Sequence, residues 1–203
     1  MSRTSDGQLE DSALECASRV LVRASAACAS FCEHVEHNEP TTTHGVVEAA
    51  AEMRRVASSL AAASGQSLRS LYLERLRSVE ASSIFRFTGV PGGECLVGAE
   101  ALARSDHWEN AQVAQVIHDR QFHPDVFGLS KVDQLRHYTF HTVKLAGLLV
   151  DAIDRNEWPA FVRARLADVA IFGVKLATVC NEKLPPSPID VVACSQTDGL
   201  AGG

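Results

Sequence analysis

Hydrophobic positions recur along this chain at intervals of three and four, not two. Ala, Leu, Val, Glu and Arg dominate, and alternating β-branched stretches do not occur, so the pattern predicts helices and no sheet. A first helix runs from about Ser12 to His37, opened by "EDS" and ended before "NEPTTTHG". A second starts after Thr43 and reaches Ser64, with Gly65 as its C-cap. A third, "SLRSLYLERLRSVEAS", has Leu68, Leu71, Leu76 and Val79 in its apolar set and Glu74, Arg75 and Arg77 on its polar side. Turn residues then crowd into "TGVPGGECLVG". The next helix lies in "SDHWENAQVAQVIHDRQF", with Ser105 or Asp106 as N-cap and Glu109 placed for a capping box. "HPDVFGLSK" reads as a loop, punctuated by Pro124 and Gly128. Two long helices follow, about Lys131 to Arg155 and about Pro159 to Lys183. The expected class is all-α, a helical bundle with N-terminal helical hairpins and a C-terminal antiparallel helix pair. Its parts are an N-terminal helical part (1–87), a linker (88–104), a C-terminal helical part (105–183) and a disordered tail (184–203).

The last two helices share an anomaly. "HYTFHTVK" places His137, His141 and Lys144 at i, i+4 and i+7, on one face of a helix that is otherwise apolar nearly all round. "RLADVAIFGVKLATVCNEK" is also apolar nearly all round, yet Arg165, Asp168, Lys175 and Glu182 fall close to one side of its wheel. A short connection makes the two helices antiparallel neighbours. Stripes that face each other would line one polar cleft inside the bundle. The alternative is that each stripe is the solvated face of its helix, a reading that the narrowness of the stripes opposes.

Composition changes this picture only at the margins. The 203 residues carry a formal net charge of −6, so a general nucleic-acid-binding surface is not expected, although a local cationic pocket is compatible with that charge. No apolar run approaches the about 18 residues of a membrane span, and "MSRTSDGQLEDS" has no signal-peptide core, so a cytoplasmic protein without membrane contact is expected. Six cysteines in such a setting do not make a disulfide framework; Cys16, Cys28, Cys32 and Cys180 read as small core residues. A zinc site from Cys28, Cys32, His34 and His37 is disfavoured, because His34 lies well round the helix from the two thiols.

"RLADVAIFGVKLA" resembles the second motif region of the MazG-like all-α nucleoside triphosphate pyrophosphohydrolases, which has Glu-x-x-Asp in a helix. "HTVKLAG" stands where that superfamily has Glu-x-x-Glu, and 20 residues separate Lys144 from Arg165. The resemblance covers about residues 105–183. In the superfamily four carboxylates hold magnesium, which binds the triphosphate and helps activate water. Here the two motifs become His141-x-x-Lys144 and Arg165-x-x-Asp168, so only Asp168 matches. Magnesium wants oxygen ligands and is repelled by Lys and Arg, which argues against metal-dependent hydrolysis. The same substitutions suit direct binding of an anion. The leading expectation is therefore a diverged MazG-like domain that binds a phosphorylated small molecule or nucleotide through His137, His141, Lys144, Arg165, Asp168 and Lys175. Any retained activity would be of the pyrophosphohydrolase type. The superfamily commonly oligomerises, so a homo-oligomer is expected.

Two other classes compete. His137, His141 and Asp168 are candidate ligands for a divalent metal in a His/Asp hydrolase, with Lys144 one turn away opposing a cation. His118-Asp119 resembles the doublet of HD-type metal phosphohydrolases, but the further His and Asp that family needs are poorly spaced here, and the doublet reads as a helix end. His123 reads as a loop brace and Trp108 as core. The third class is a non-catalytic interaction or regulatory module, in which the Ala-rich amphipathic hairpin "VVEAAAEMRRVASSLAAASGQSLRSLYLERLRSVE" supplies a dimer surface. No serine sits in a Gly-x-Ser-x-Gly elbow, and "VPGGECLVG" lacks the Lys-Ser/Thr ending of a P-loop.

Overall fold

The computed structural model describes residues 5–88, 97–104 and 110–181, and among these there are helices and no strand. In chain order they are α1 (Ser5–Glu36), α2 (His44–Ala63), α3 (Leu68–Thr88), α4 (Val97–Ala103), α5 (Asn110–Phe122), α6 (Pro124–Phe127), α7 (Lys131–Asp154) and α8 (Trp158–Val179). The all-α bundle is as expected. α1 starts seven residues before the expected Ser12, α3 runs on to Thr88 and α8 ends at Val179, ahead of the expected Lys183, and two further elements lie where the sequence reading had a loop and a linker. "HPDVFGLSK" contains one helical turn, α6, with Pro124 in the first turn, where a missing N–H costs no hydrogen bond. α4 occupies the end of the stretch expected as linker 88–104, because Ala99 and Leu102 have a place to bury against α3 and α5. Ser105, Asp106, Trp108, Glu109, Glu182 and the tail 184–203 lie outside the described residues.

The helix ends follow local chemistry. Asn38, Gly65 and Asn156 take left-handed backbone (φ 55°, 69° and 56°) just past α1, α2 and α7. In each case the next residue donates back to a carbonyl in the last turn: Glu39 N–H to His34, Gln66 N–H to Ala61, Glu157 N–H to Ala152. These are Schellman ends, and Asn and Gly tolerate the required φ best. α7 is opened by Ser130, whose hydroxyl accepts from the Asp133 N–H and donates to the Asp133 carboxylate.

α1, α2, α8 and α7 form a ring of four helices, each packed on the next, and α3 and α5 lie against the far side of α8. α8 therefore touches α2, α7, α3 and α5. That explains its composition: a helix surrounded by others has to be apolar nearly all round. One continuous core joins Leu21 and Cys28 of α1, Met53 and Leu60 of α2, Leu135 and Leu149 of α7, and Leu166 and Leu176 of α8. The described residues of the N-terminal part (5–87) and the C-terminal part (110–181) thus share this core. The Ala-rich face of α2, expected to offer a dimer surface, is used inside the chain: Ala49, Ala50, Met53 and Ala57 are buried. α7 differs from its sequence reading in the opposite direction. Its apolar circumference is not buried all round, and Phe140 (78% exposed), Val143 and Val150 face solvent. No helix among the described residues is long and apolar enough to cross a membrane.

Candidate functional site

A cleft of about 500 Å³ opens where α3, α5 and α6 meet the outer face of the α7–α8 pair. All six residues singled out from the stripes line it: His137, His141, Lys144, Arg165, Asp168 and Lys175. The stripes therefore share one cleft. It lies on the side of the pair away from α1 and α2, not between the helices of the four-membered ring, and α3 and α5 supply its third wall. The solvated-face alternative fails for Asp168 and Lys175, which are only 9% and 8% exposed.

The antiparallel register orders the cleft. The His141 ring stacks on Phe172 with centroids 4.6 Å apart, and Lys175 Nζ lies 5.6 Å from the Tyr138 ring centre. These pairs place His137 level with Lys175 and Lys144 level with Asp168. One end of the cleft thus holds Lys144, Arg165, Asp168 and Arg75. The other holds His137, Lys175, His118 and His123.

At the first end Asp168 is the centre of an ion-pair group. Its Oδ1 accepts from Arg75 Nε at 2.7 Å, and its Oδ2 lies 3.6 Å from an Arg165 guanidinium nitrogen. Arg75 comes from the polar side of α3, which in sequence looks like any solvated helix face. Lys144 is exposed at the mouth and makes no ion pair or hydrogen bond among the described residues.

At the other end two buried networks support the wall. Lys175 Nζ is 2.8 Å from Asp119 Oδ1, and the same oxygen accepts from Gln115 Nε2 at 2.9 Å. Tyr72 donates to Gln115 Oε1 at 2.6 Å, completing that chain. His118 Nδ1 is 2.8 Å from Glu80 Oε1, and Glu80, with no exposed surface, also accepts from the N–H groups of Gly98 and Ala99 at the start of α4. Glu80 Oε1 already accepts the N–H groups of Gly98 and Ala99, and the His118 contact adds Nδ1–H as a third donor to the same oxygen. Of the doublet read as a helix end, His118 lines the cleft and Asp119 stands behind it on Lys175, and His123, read as a loop brace, also lines the cleft.

Three of the cleft histidines, His123, His137 and His141, are held neutral. Burial, then the neighbouring Lys175, lowers His123 to about 4. Burial and Lys175 also lower His137; burial, His137, Lys175 and Lys144 lower His141. At neutral pH these rings offer hydrogen bonds and lone pairs, and the positive charge of the cleft comes from Lys and Arg.

Metal ligation by His137, His141 and Asp168 is not assembled. Among the described residues, the group of histidine, cysteine and acidic side chains whose ligand atoms converge is His118, Asp119 and His123, within 4.8 Å of one another. The Cys28/Cys32 zinc reading also fails geometrically. Both thiols are buried, whereas His34 and His37 turn their Nδ1 atoms to the carbonyls of Ser30 and Glu33 on the exposed side of α1. Burial pushes the Cys28 thiol up to about 12, as for an inert core thiol.

The chain matches no family model, and neither a curated protein nor a solved structure matches it.

Proposed function

We propose that this protein is a diverged MazG-like helical domain whose cleft binds a phosphorylated small molecule or nucleotide through side-chain cations. The observation that carries this reading is the charge of the lining: Arg75, Lys144, Arg165 and Lys175 stand against Asp125, Asp168 and the Asp119 that pairs with Lys175, an excess of one positive charge in a chain of net charge −6. A cationic concavity on an acidic protein selects anions. The volume, about 500 Å³, is in the usual range for small-molecule sites. Support for the MazG-like part is positional: His141, Lys144, Arg165 and Asp168, the four positions aligned with the superfamily's carboxylates, share the cleft. Asp168, the one carboxylate kept, is paired with Arg75 and Arg165, so magnesium-dependent hydrolysis is not part of the proposal. The cations differ in freedom. Lys175 is committed to Asp119, whereas Lys144 has no ion pair among the described residues and Arg165 holds Asp168 only at 3.6 Å, so Lys144 and Arg165 are the anion contacts. A cytoplasmic setting fits the free thiols Cys16, Cys28, Cys32 and Cys180.

The test is a thermal-shift panel of nucleoside triphosphates and monophosphates, pyrophosphate and sugar phosphates, with and without magnesium. Stabilisation by a phosphate compound without metal is expected, with affinity falling about tenfold in Lys144→Ala and in Arg165→Ala. No shift by any phosphate at millimolar concentration would overturn the reading.

A further inference from the structure

His118, Asp119 and His123 come from the end of α5 and the junction before α6, and their ligand atoms lie within 4.8 Å of one another. Three features turn this proximity into a site. The His118 ring is held by its Nδ1 contact with the buried Glu80 carboxylate, 2.8 Å away, the arrangement that commonly orients a metal-binding imidazole. Lys175 and Gln115 both bind Asp119 through Oδ1 and fix its carboxylate beside the two imidazoles. His118 and His123 both line the cleft, so a bound ion has an open side facing it.

From this geometry we infer that the cleft contains a divalent transition-metal site with His118, Asp119 and His123 as protein ligands. Two imidazoles and one carboxylate suit zinc, cobalt, iron(II) or manganese rather than calcium or magnesium. Metal–ligand bonds of about 2.0–2.2 Å require the three side chains to close by roughly 1 Å around the ion. Three protein ligands leave a coordination position open, as in zinc sites that act on a bound molecule. Lys175 opposes the ion, since its ammonium lies 2.8 Å from Asp119 Oδ1. The site goes beyond the anion reading and does not depend on it, because metal binding is measured without phosphate.

The experiment is titration of the full chain with cobalt(II), followed by visible spectroscopy, and with zinc, followed by calorimetry, in phosphate-free buffer. One equivalent is expected to bind, with cobalt giving the visible bands of a low-coordinate nitrogen–oxygen site. His123→Ala, at a half-buried ring, is expected to weaken binding roughly tenfold or more while the thermal transition remains cooperative. Asp119→Asn, which keeps the shape of the side chain, carries the same expectation if His123→Ala fails to fold. Lys175→Met is expected to bind metal several-fold more tightly. Absence of saturable binding overturns the inference. So does binding that survives both His123→Ala and Asp119→Asn, which would place the ion on surface histidines such as His34 or His44. Loss of binding in His141→Ala alone would move the site to the stripe residues and overturn it equally.

Discussion

Glu80 has no exposed surface, and its carboxylate is met by the His118 ring and two backbone N–H groups of α4. Its removal strands all three donors, so Glu80→Ala is expected to cost about 3–5 kcal/mol in denaturant unfolding. Gly98 belongs to the same device: a Cβ there would meet Glu80 Oε1 at 2.6 Å and His118 Cβ at 2.7 Å. Nothing in "RSVEAS" distinguishes this buried glutamate from a surface one, because its partners are 18 and 38 residues away. His123 gives a pH-dependent expectation. Its ring titrates near 6.5 when unfolded but is held to about 4 in the fold, first by burial and then by Lys175, with Asp119 and Asp125 pulling the other way and His118 a lesser opposing neighbour. The unfolded chain therefore takes up a proton that the folded one refuses, and stability falls as pH drops from about 6.5 to about 4. His123→Asn is expected to remove about 1–2 kcal/mol of that fall, after discounting for the ring's partial exposure, and to change nothing above pH 7; melting temperature against pH reads this.

α8 shows how packing decides what a helix carries. Gly173 lets it approach α2 closely, since a Cβ there would lie 2.9 Å from the Ala50 carbonyl oxygen. A backbone atom cannot turn aside as a side chain can, so Gly173→Val is expected to destabilise by about 1–3 kcal/mol through overpacking, measured by denaturant unfolding. The opposite side of α8 carries Asp168 and Lys175 to α3 and α5, where Arg75 and Asp119 neutralise them. The polar stripe of α8 was legible in sequence because its period is that of the helix itself. Its partners Arg75 and Asp119 were not, because those pairs join residues of two different helices. α6 was missed for a related reason: Pro and Gly mark both a loop and a one-turn helix.

The fold places the first two helices and the last two around one core, with α3 to α5 inserted between them in sequence and stacked outside them in space. A fragment beginning at residue 97 would expose Leu135, Leu149, Leu166 and Leu176, which are fully buried in the full chain. Each fully buried leucine contributes roughly 1.5–3 kcal/mol. The fragment is therefore expected to lose cooperative unfolding by circular dichroism, whereas the full chain keeps a single transition. The long helical segments and the two charged stripes were legible in sequence, because hydrogen bonding, capping and wheel position are local and repeat every 3.6 residues, whereas the short helices α4 and α6 were not. Only the tertiary structure decided which side of the α7–α8 pair became the cleft. It also brought Arg75, Glu80, His118 and His123 to that cleft, since ion pairs and buried hydrogen bonds between distant segments depend on how helices pack, and packing is a property of surfaces meeting in three dimensions.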